Sequence, residues 1–231
     1  MILNNRLAVF DEKITERELN ARKFVRKAAA EGAVLLKNDR TLPLGKSIRK
    51  IALFGAGASQ TIRGGTGSGD VNIRSYVTVR EGLSDAGYEI VTDRLLKRYD
   101  CEVSAAKALF KSHIQQKAAD GVKNALIEMM HHPFTAPEFI CPESFEGYEA
   151  DAAIYVLSRI SGEGADRKAV PSDYMLGKTE LRDIKRIASF YDKFVLVLNI
   201  AAPIDMSELC VAEDINAVLL IGQGGSESGS A

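Results

Sequence analysis

The sequence predicts an α/β fold, built on an open, mostly parallel sheet of five to six strands with helices on both faces and a helical insertion. Three observations predict it. Five short runs, KIALFG (50–55), YEIVT (88–92), AAIYVL (152–157), FVLVLNI (194–200) and NAVLLIG (216–222), are almost continuously apolar, as strands buried on both faces are. Segments of helical periodicity separate most of them, and a strand, helix, strand order implies a parallel crossover. Glycine-rich stretches follow two of the strands at their expected carboxyl ends, where open sheets of this kind bind ligands.

The elements follow in order. Residues 15–36 (TERELNARKFVRKAAAEGAVLL) open with Thr-x-x-Glu, a capping-box pattern, and repeat apolar residues at Leu19, Phe24, Ala28 and Val34. That spacing predicts one long helix that falters at Gly32. Turn chemistry fills 38–43, and 50–55 is the first strand. Residues 55–71 (GAGASQTIRGGTGSGDV) are too rich in glycine for regular structure and read as a long loop. A helix over 75–86 leads to the strand 88–92. From 93 to 130 the pattern is helical, charged and alanine-rich, which predicts an insertion of one or two helices. Residues 131–150 (HHPFTAPEFICPESFEGYEA) hold three of the six prolines and are expected to form an extended surface connector. Alternation then resumes with the strand 152–157, a loop, a helix over 178–191, the strand 194–200, a short helix over 206–212 and the strand 216–222.

Composition narrows the function classes. Thirty basic residues against thirty-one acidic ones leave a formal charge of −1, so no global field favours nucleic acid or an anionic membrane. Three cysteines, Cys101, Cys141 and Cys210, contain no CxxC and argue against a disulfide framework or a zinc ribbon. The opening MILNNRLAVFDEK lacks the continuous apolar run of a signal peptide, and no segment approaches the roughly eighteen apolar residues of a membrane span. The expectation is a soluble, cytoplasmic protein with reduced thiols.

Several motifs fall short of their chemistry. FGAGASQ (54–60) half-matches the dinucleotide fingerprint, but Gln60 stands where a third glycine belongs and the loop runs on instead of opening a helix. His131 and His132 lack a third metal ligand at any recognised spacing, so no metal is expected. No Gly-x-Ser-x-Gly elbow is present. The run GGTGSG (64–69), with Gly64, Gly65, Gly67 and Ser68, reads either as a flexible surface loop or as a loop whose backbone approaches a ligand closely.

The stretch SRISGEGADRK (158–168) follows a strand and sets Glu163 between two glycines. It reads as a solvated turn in which Asp166 and Arg167 make local hydrogen bonds, or as a general acid on a mobile loop. A glycosidic oxygen leaves poorly unless protonated, and a carboxyl of raised pKa can protonate it. Arg159 and Arg167 would lower the pKa of Glu163, so the second reading needs an opposing influence.

Taken together and in order, EGAVLLKNDRTLPL (31–44), IALFG, GGTGSGDV, SRISGEGADRK, VLVLNIAAPIDM (195–206) and LLIGQGGSESGSA (219–231) resemble the α/β sandwich domain of family 3 glycoside hydrolases, chiefly the β-glucosidases. The resemblance spans about 19–231, with 93–150 as helical insertion and connector. It implies retaining hydrolysis of terminal β-linked glucose, with Glu163 as general acid/base and no cofactor. Arg159, Asp166 and Arg167 would hold its loop, and Gly64, Gly65, Gly67 and Ser68 would line the site. The aspartate nucleophile would come from a (β/α)8 barrel of the same polypeptide, whose anionic charge about 5–5.5 Å away would raise Glu163. The chain departs from the usual order, which implies a truncated, reversed-order enzyme with its barrel downstream and a fragment inactive alone. A nucleotide-binding or non-catalytic carbohydrate-binding or interaction module is the competing expectation. The sequence leaves the sugar and the oligomeric state open.

Overall fold

The computed structural model describes residues 13–66, 69–160, 167–209 and 214–231. Apolar continuity dictates the sheet. Strands β1 (Val34–Asn38), β2 (Lys50–Phe54), β3 (Glu89–Ile90), β4 (Ala152–Arg159), β5 (Phe194–Ile200) and β6 (Ala217–Leu220) lie in the order β1-β6-β5-β4-β2-β3. Strands β2 to β6 run parallel, while β1 closes the β6 edge antiparallel. All seven residues of β5 are buried, as expected of a strand flanked by neighbours and covered on both faces. The register sets Ser158 beside Asn199 and Arg159 beside Ile200, so β4 and β5 end at one level.

The helices are α1 (Glu16–Gly32), α2 (Val79–Asp85), α3 (Asp93–Ala119), α4 (Val122–His131) and α5 (Lys178–Phe190). Helix α5 buries Ile184 and Ile187, and its buried Asp183 reaches outward to accept the backbone N–H of Cys141 at 3.0 Å. Arg186 donates to the Pro142 carbonyl at 3.0 Å, and its guanidinium lies over the Phe145 ring. The proline-rich stretch between α4 and β4 is therefore irregular, as expected, but fastened: Phe139, Cys141 and Phe145 are core residues. No helix among the described residues is long and apolar enough to cross a membrane.

Three local expectations change. The helix expected over 15–36 stops at Gly32, and Val34–Asn38 forms β1 instead. Apolar residues continue past Gly32 without a break, so periodicity cannot separate the two; pairing with β6 decides, because it satisfies the backbone of an otherwise exposed edge. The helix expected over 75–86 begins at Val79, capped by Thr78, whose hydroxyl accepts from the Glu81 amide while the Glu81 carboxylate accepts from the Thr78 amide. Val77 is drawn out of that helix by the chain end, donating to the Ser226 carbonyl at 2.8 Å and accepting from the Gly229 amide at 3.1 Å. Of the helix expected over 206–212, residues 207–209 form a turn and 210–213 lie outside the described residues.

Candidate active site

The site is built on the carboxyl end of β4. Arg159, the last residue of that strand, is buried, and a buried guanidinium is tolerable only if its donors are met. Its two terminal nitrogens donate to Glu180 in the first turn of α5, at 2.6 and 2.5 Å. Its Nε donates to the Asp173 carbonyl at 3.2 Å, and Nη1 also reaches the Ser158 carbonyl at 2.9 Å. Glu180 further accepts the Gly177 amide at 2.8 Å, so one carboxylate caps α5 and fixes Arg159. Burial, and then the charge of Glu180, pushes the Tyr155 phenol well up.

A second arginine closes the return of the chain. Arg167 donates to Asp173 Oδ1 at 2.8 Å and to the Ile160 carbonyl at 3.1 Å, and the Lys168 amide donates to Asp173 Oδ2 at 2.9 Å. The hydrogen bond from Arg167, followed by the one from Lys168, holds the Asp173 carboxyl below its ordinary value. Asp173 is thus the hub between the two arginines, touching Arg159 through its carbonyl and Arg167 through its carboxylate. Glu163 and Asp166, between Ile160 and Arg167, lie outside the described residues.

The glycine-rich loop meets this end of the sheet from the other side. Its first glycines are there for packing. A Cβ on Gly55, whose φ is +89°, would meet the Val156 carbonyl oxygen at 2.4 Å, and one on Gly57 would meet the Val156 side chain at 2.7 Å. The Ala58 amide bonds to the Gly55 carbonyl in a single turn of 3-10 helix, Ala56–Ala58, and the Gln60 amide just after it bonds to the Ala56 carbonyl. Those N–H groups are taken, and the half-fingerprint FGAGASQ is a tight joint between β2 and β4.

Asn199 then anchors the loop. Fully buried at the end of β5, it accepts the Ile62 amide at 2.6 Å and donates to the Ile62 carbonyl at 2.9 Å and the Gly222 carbonyl at 2.6 Å. Arg63 donates to Asp70 at 2.9 Å and to the Val71 carbonyl at 3.1 Å, bracketing the half-buried Gly64 and Gly65. Gly67 and Ser68 lie outside the described residues. A cleft of about 530 Å³ lies between these elements, lined by Ile62, Tyr155, Ser158, Arg159, Ile160 and Arg167 among others. Arg159 and Arg167 thus share one cleft, whereas Gly64 and Gly65 are not among its lining residues.

Sequence reasoning missed Glu180, Asp173 and Asn199. Asn199 had a signal, since a lone carboxamide in FVLVLNI must find partners once buried. His131 and His132 are exposed at the end of α4, and no group of three or more His, Cys, Asp or Glu among the described residues is placed to hold a metal ion.

Residues 33–231 match the glycosyl hydrolase family 3 C-terminal domain. A β-glucosidase A from Butyrivibrio fibrisolvens is 31% identical, over 88% of this chain and 25% of that protein. A β-glucosidase from Ruminococcus albus is 28% identical, over 92% of this chain and 21% of that protein. The chain therefore spans about a quarter of the length of these curated relatives or less. Among solved structures, β-glucosidase 3B from Thermotoga neapolitana in complex with α-D-glucose is 30% identical with a TM-score of 0.69, over 94% of this chain and 29% of that one.

Proposed function

The chain belongs to the glycosyl hydrolase family 3 C-terminal domains, and from that premise we propose that it supplies the general acid/base, Glu163, of a longer retaining, exo-acting β-glucosidase. The observation that carries this reading is the braced base at the carboxyl end of β4. Two arginine–carboxylate pairs, Arg159–Glu180 and Arg167–Asp173, stand on either side of the Gly-Glu-Gly stretch in the chain, and Arg167 also holds the Ile160 carbonyl. A chain that only turned back to the next helix would need no such fixture, whereas a proton donor must be delivered to within hydrogen-bond reach of a glycosidic oxygen.

In this reading Glu163 protonates the leaving oxygen as an aspartate on a barrel domain attacks the anomeric carbon. It then takes a proton from the water that hydrolyses the glycosyl intermediate. Arg159 and Arg167, with Asp166, hold the loop, and the loop bearing Gly64, Gly65, Gly67 and Ser68 lies beside the leaving group. Substrates are glucosides or oligosaccharides with terminal β-linked glucose, and the isolated domain has no hydrolytic activity because the reaction needs both carboxylates.

Glu163→Gln in the complete polypeptide tests the role. Hydrolysis of a glucoside with a poor leaving group should fall by about 10²–10⁴. Release of an activated phenol, which departs without protonation, should fall far less in its first step. Equal losses across leaving groups would reject the acid role.

A further inference from the structure

The order of the strands reverses between β2 and β4. After β2 the chain leaves for β3 on one side, and β4, β5 and β6 are then added on the other. Parallel crossovers are right-handed, so α2 and α5 lie on opposite faces and the loops that follow β2 and β4 diverge above the strand ends. A crevice at such a switch point is where open sheets of this kind bind ligands. The cleft of about 530 Å³ lies there, between Ala56 beyond β2 and residues 155–160 of the β4 end, and Pro137 and Phe139 of the connector wall it. One group in it lacks a partner. Tyr155 lines the cleft and is 2% exposed, yet its hydroxyl makes no hydrogen bond among the described residues. Buried tyrosine hydroxyls ordinarily find an acceptor, and those of Tyr99 and Tyr191 donate to the Pro137 and Tyr148 carbonyls at 3.0 and 2.8 Å. Resting on the carbohydrate reading above for the identity of the ligand, we propose that this cleft binds a neutral sugar ring, one of whose hydroxyls partners Tyr155.

The surroundings select the ligand's chemistry. Both arginines of the cleft are already matched, Arg159 by Glu180 and Arg167 by Asp173, so they offer an anion little net charge. Glu138 lines the same cleft with no cationic partner among the described residues; its carboxylate repels an anion and accepts from a sugar hydroxyl. The hydroxyls of Thr135 and Ser172, also in the lining, make no hydrogen bond among the described residues and can both donate and accept. A phosphate would need free backbone N–H groups at the β2 end, and those of Ala58 and Gln60 are taken. Ile62 and Pro137 give the C–H face of a ring an apolar surface. A buried aromatic hydroxyl, polar groups at the walls and apolar patches between them suit a neutral polyol.

The experiment is a titration of the isotopically labelled 231-residue chain with methyl β-D-glucoside, followed by amide NMR shifts. Saturable shifts are expected at Tyr155, Thr135 and Ser172, with a Kd on the order of 1 mM, as fits a ligand of about a dozen heavy atoms. Tyr155→Phe removes only the hydroxyl. It should weaken binding by about 2- to 12-fold, the worth of one hydrogen bond, while the urea midpoint holds or rises because the hydroxyl has no partner to lose in the free chain. Thr135→Val, on the exposed connector, should weaken binding by a similar factor. Absence of saturable shifts at these amides would overturn the proposal, as would a destabilised Tyr155→Phe that binds the glucoside unchanged. Saturation by adenosine monophosphate with no response to the glucoside would also overturn it, in favour of an anion site. None of these outcomes involves Glu163. A failure here leaves the acid role intact, whereas a flat leaving-group response in Glu163→Gln removes that role and leaves a measured sugar site standing.

Discussion

Removing the Asn199 carboxamide should loosen the glycine-rich loop from the sheet at a large and calculable cost. In Asn199→Ala three backbone groups lose their partners: the amide and carbonyl of Ile62 and the carbonyl of Gly222, now bonded at 2.6, 2.9 and 2.6 Å. Each buried polar group left unsatisfied costs about 1–3 kcal/mol, so the sum is about 3–9 kcal/mol if the site stays dry. Water entering from the cleft beside Ile62 would reduce it towards about 2 kcal/mol. Urea denaturation, read as a change of midpoint at constant slope, measures this. Asn199→Asp sharpens the test through pH. Its carboxyl would face two carbonyl oxygens in a fully buried site, which disfavours the anion and raises the folded-state pKa above the unfolded value of about 3.9. The folded form then holds the extra proton. Stability is therefore greatest below about pH 4 and falls as pH rises, until the folded-state pKa is passed. A loss below about 1 kcal/mol in Asn199→Ala, or an Asp variant whose deficit does not grow with pH, would refute the clamp.

Two further outcomes follow from the same structure. Gly55→Ala should destabilise by about 2–4 kcal/mol, because it combines a φ of +89° with a Cβ placed 2.4 Å from the Val156 carbonyl oxygen; a fully stable variant in urea would contradict the joint between β2 and β4. In an alkaline titration followed by phenolate absorbance, three of the seven tyrosines should resist ionisation. Burial pushes Tyr99 up to about 12 and Tyr155 and Tyr191 up as well, so all three should ionise only as the protein unfolds; a single step of all seven at the ordinary value would refute their burial.

What was legible in the sequence follows from how local each cause is. Residues 194–200 were read as a strand and form one with the same bounds, because a short run that is apolar but for Asn199, set between Asp192-Lys193 and Pro203, has few alternatives. Strand β1 was not legible, since Val34, Leu35 and Leu36 continue a helical apolar pattern and only β6, some 180 residues later, supplies their partner. The arginines of the site were visible as charges beside Glu163. Their carboxylates were not: Glu180 lies 21 residues from Arg159 and reads locally as a helix-capping acid, which it also is. Gly55 and Gly57 read only as an incomplete dinucleotide fingerprint, and their cause was not local: both a pyrophosphate and a neighbouring strand demand a missing Cβ, and here the strand makes the demand.

The two loops at this end of the sheet are fastened by one logic at one level. Ser158 and Asn199 are register partners, and each is the last residue but one of its strand, just before a loop begins. From β5, Asn199 holds the Ile62 backbone of the glycine-rich loop and the Gly222 turn after β6 with a single carboxamide. From β4, Arg159 holds α5 through Glu180 and the returning chain through the Asp173 carbonyl. Arg63 and Arg167 then tie each loop across its own base. Each loop therefore meets the sheet through a few hydrogen-bonded side chains at its base.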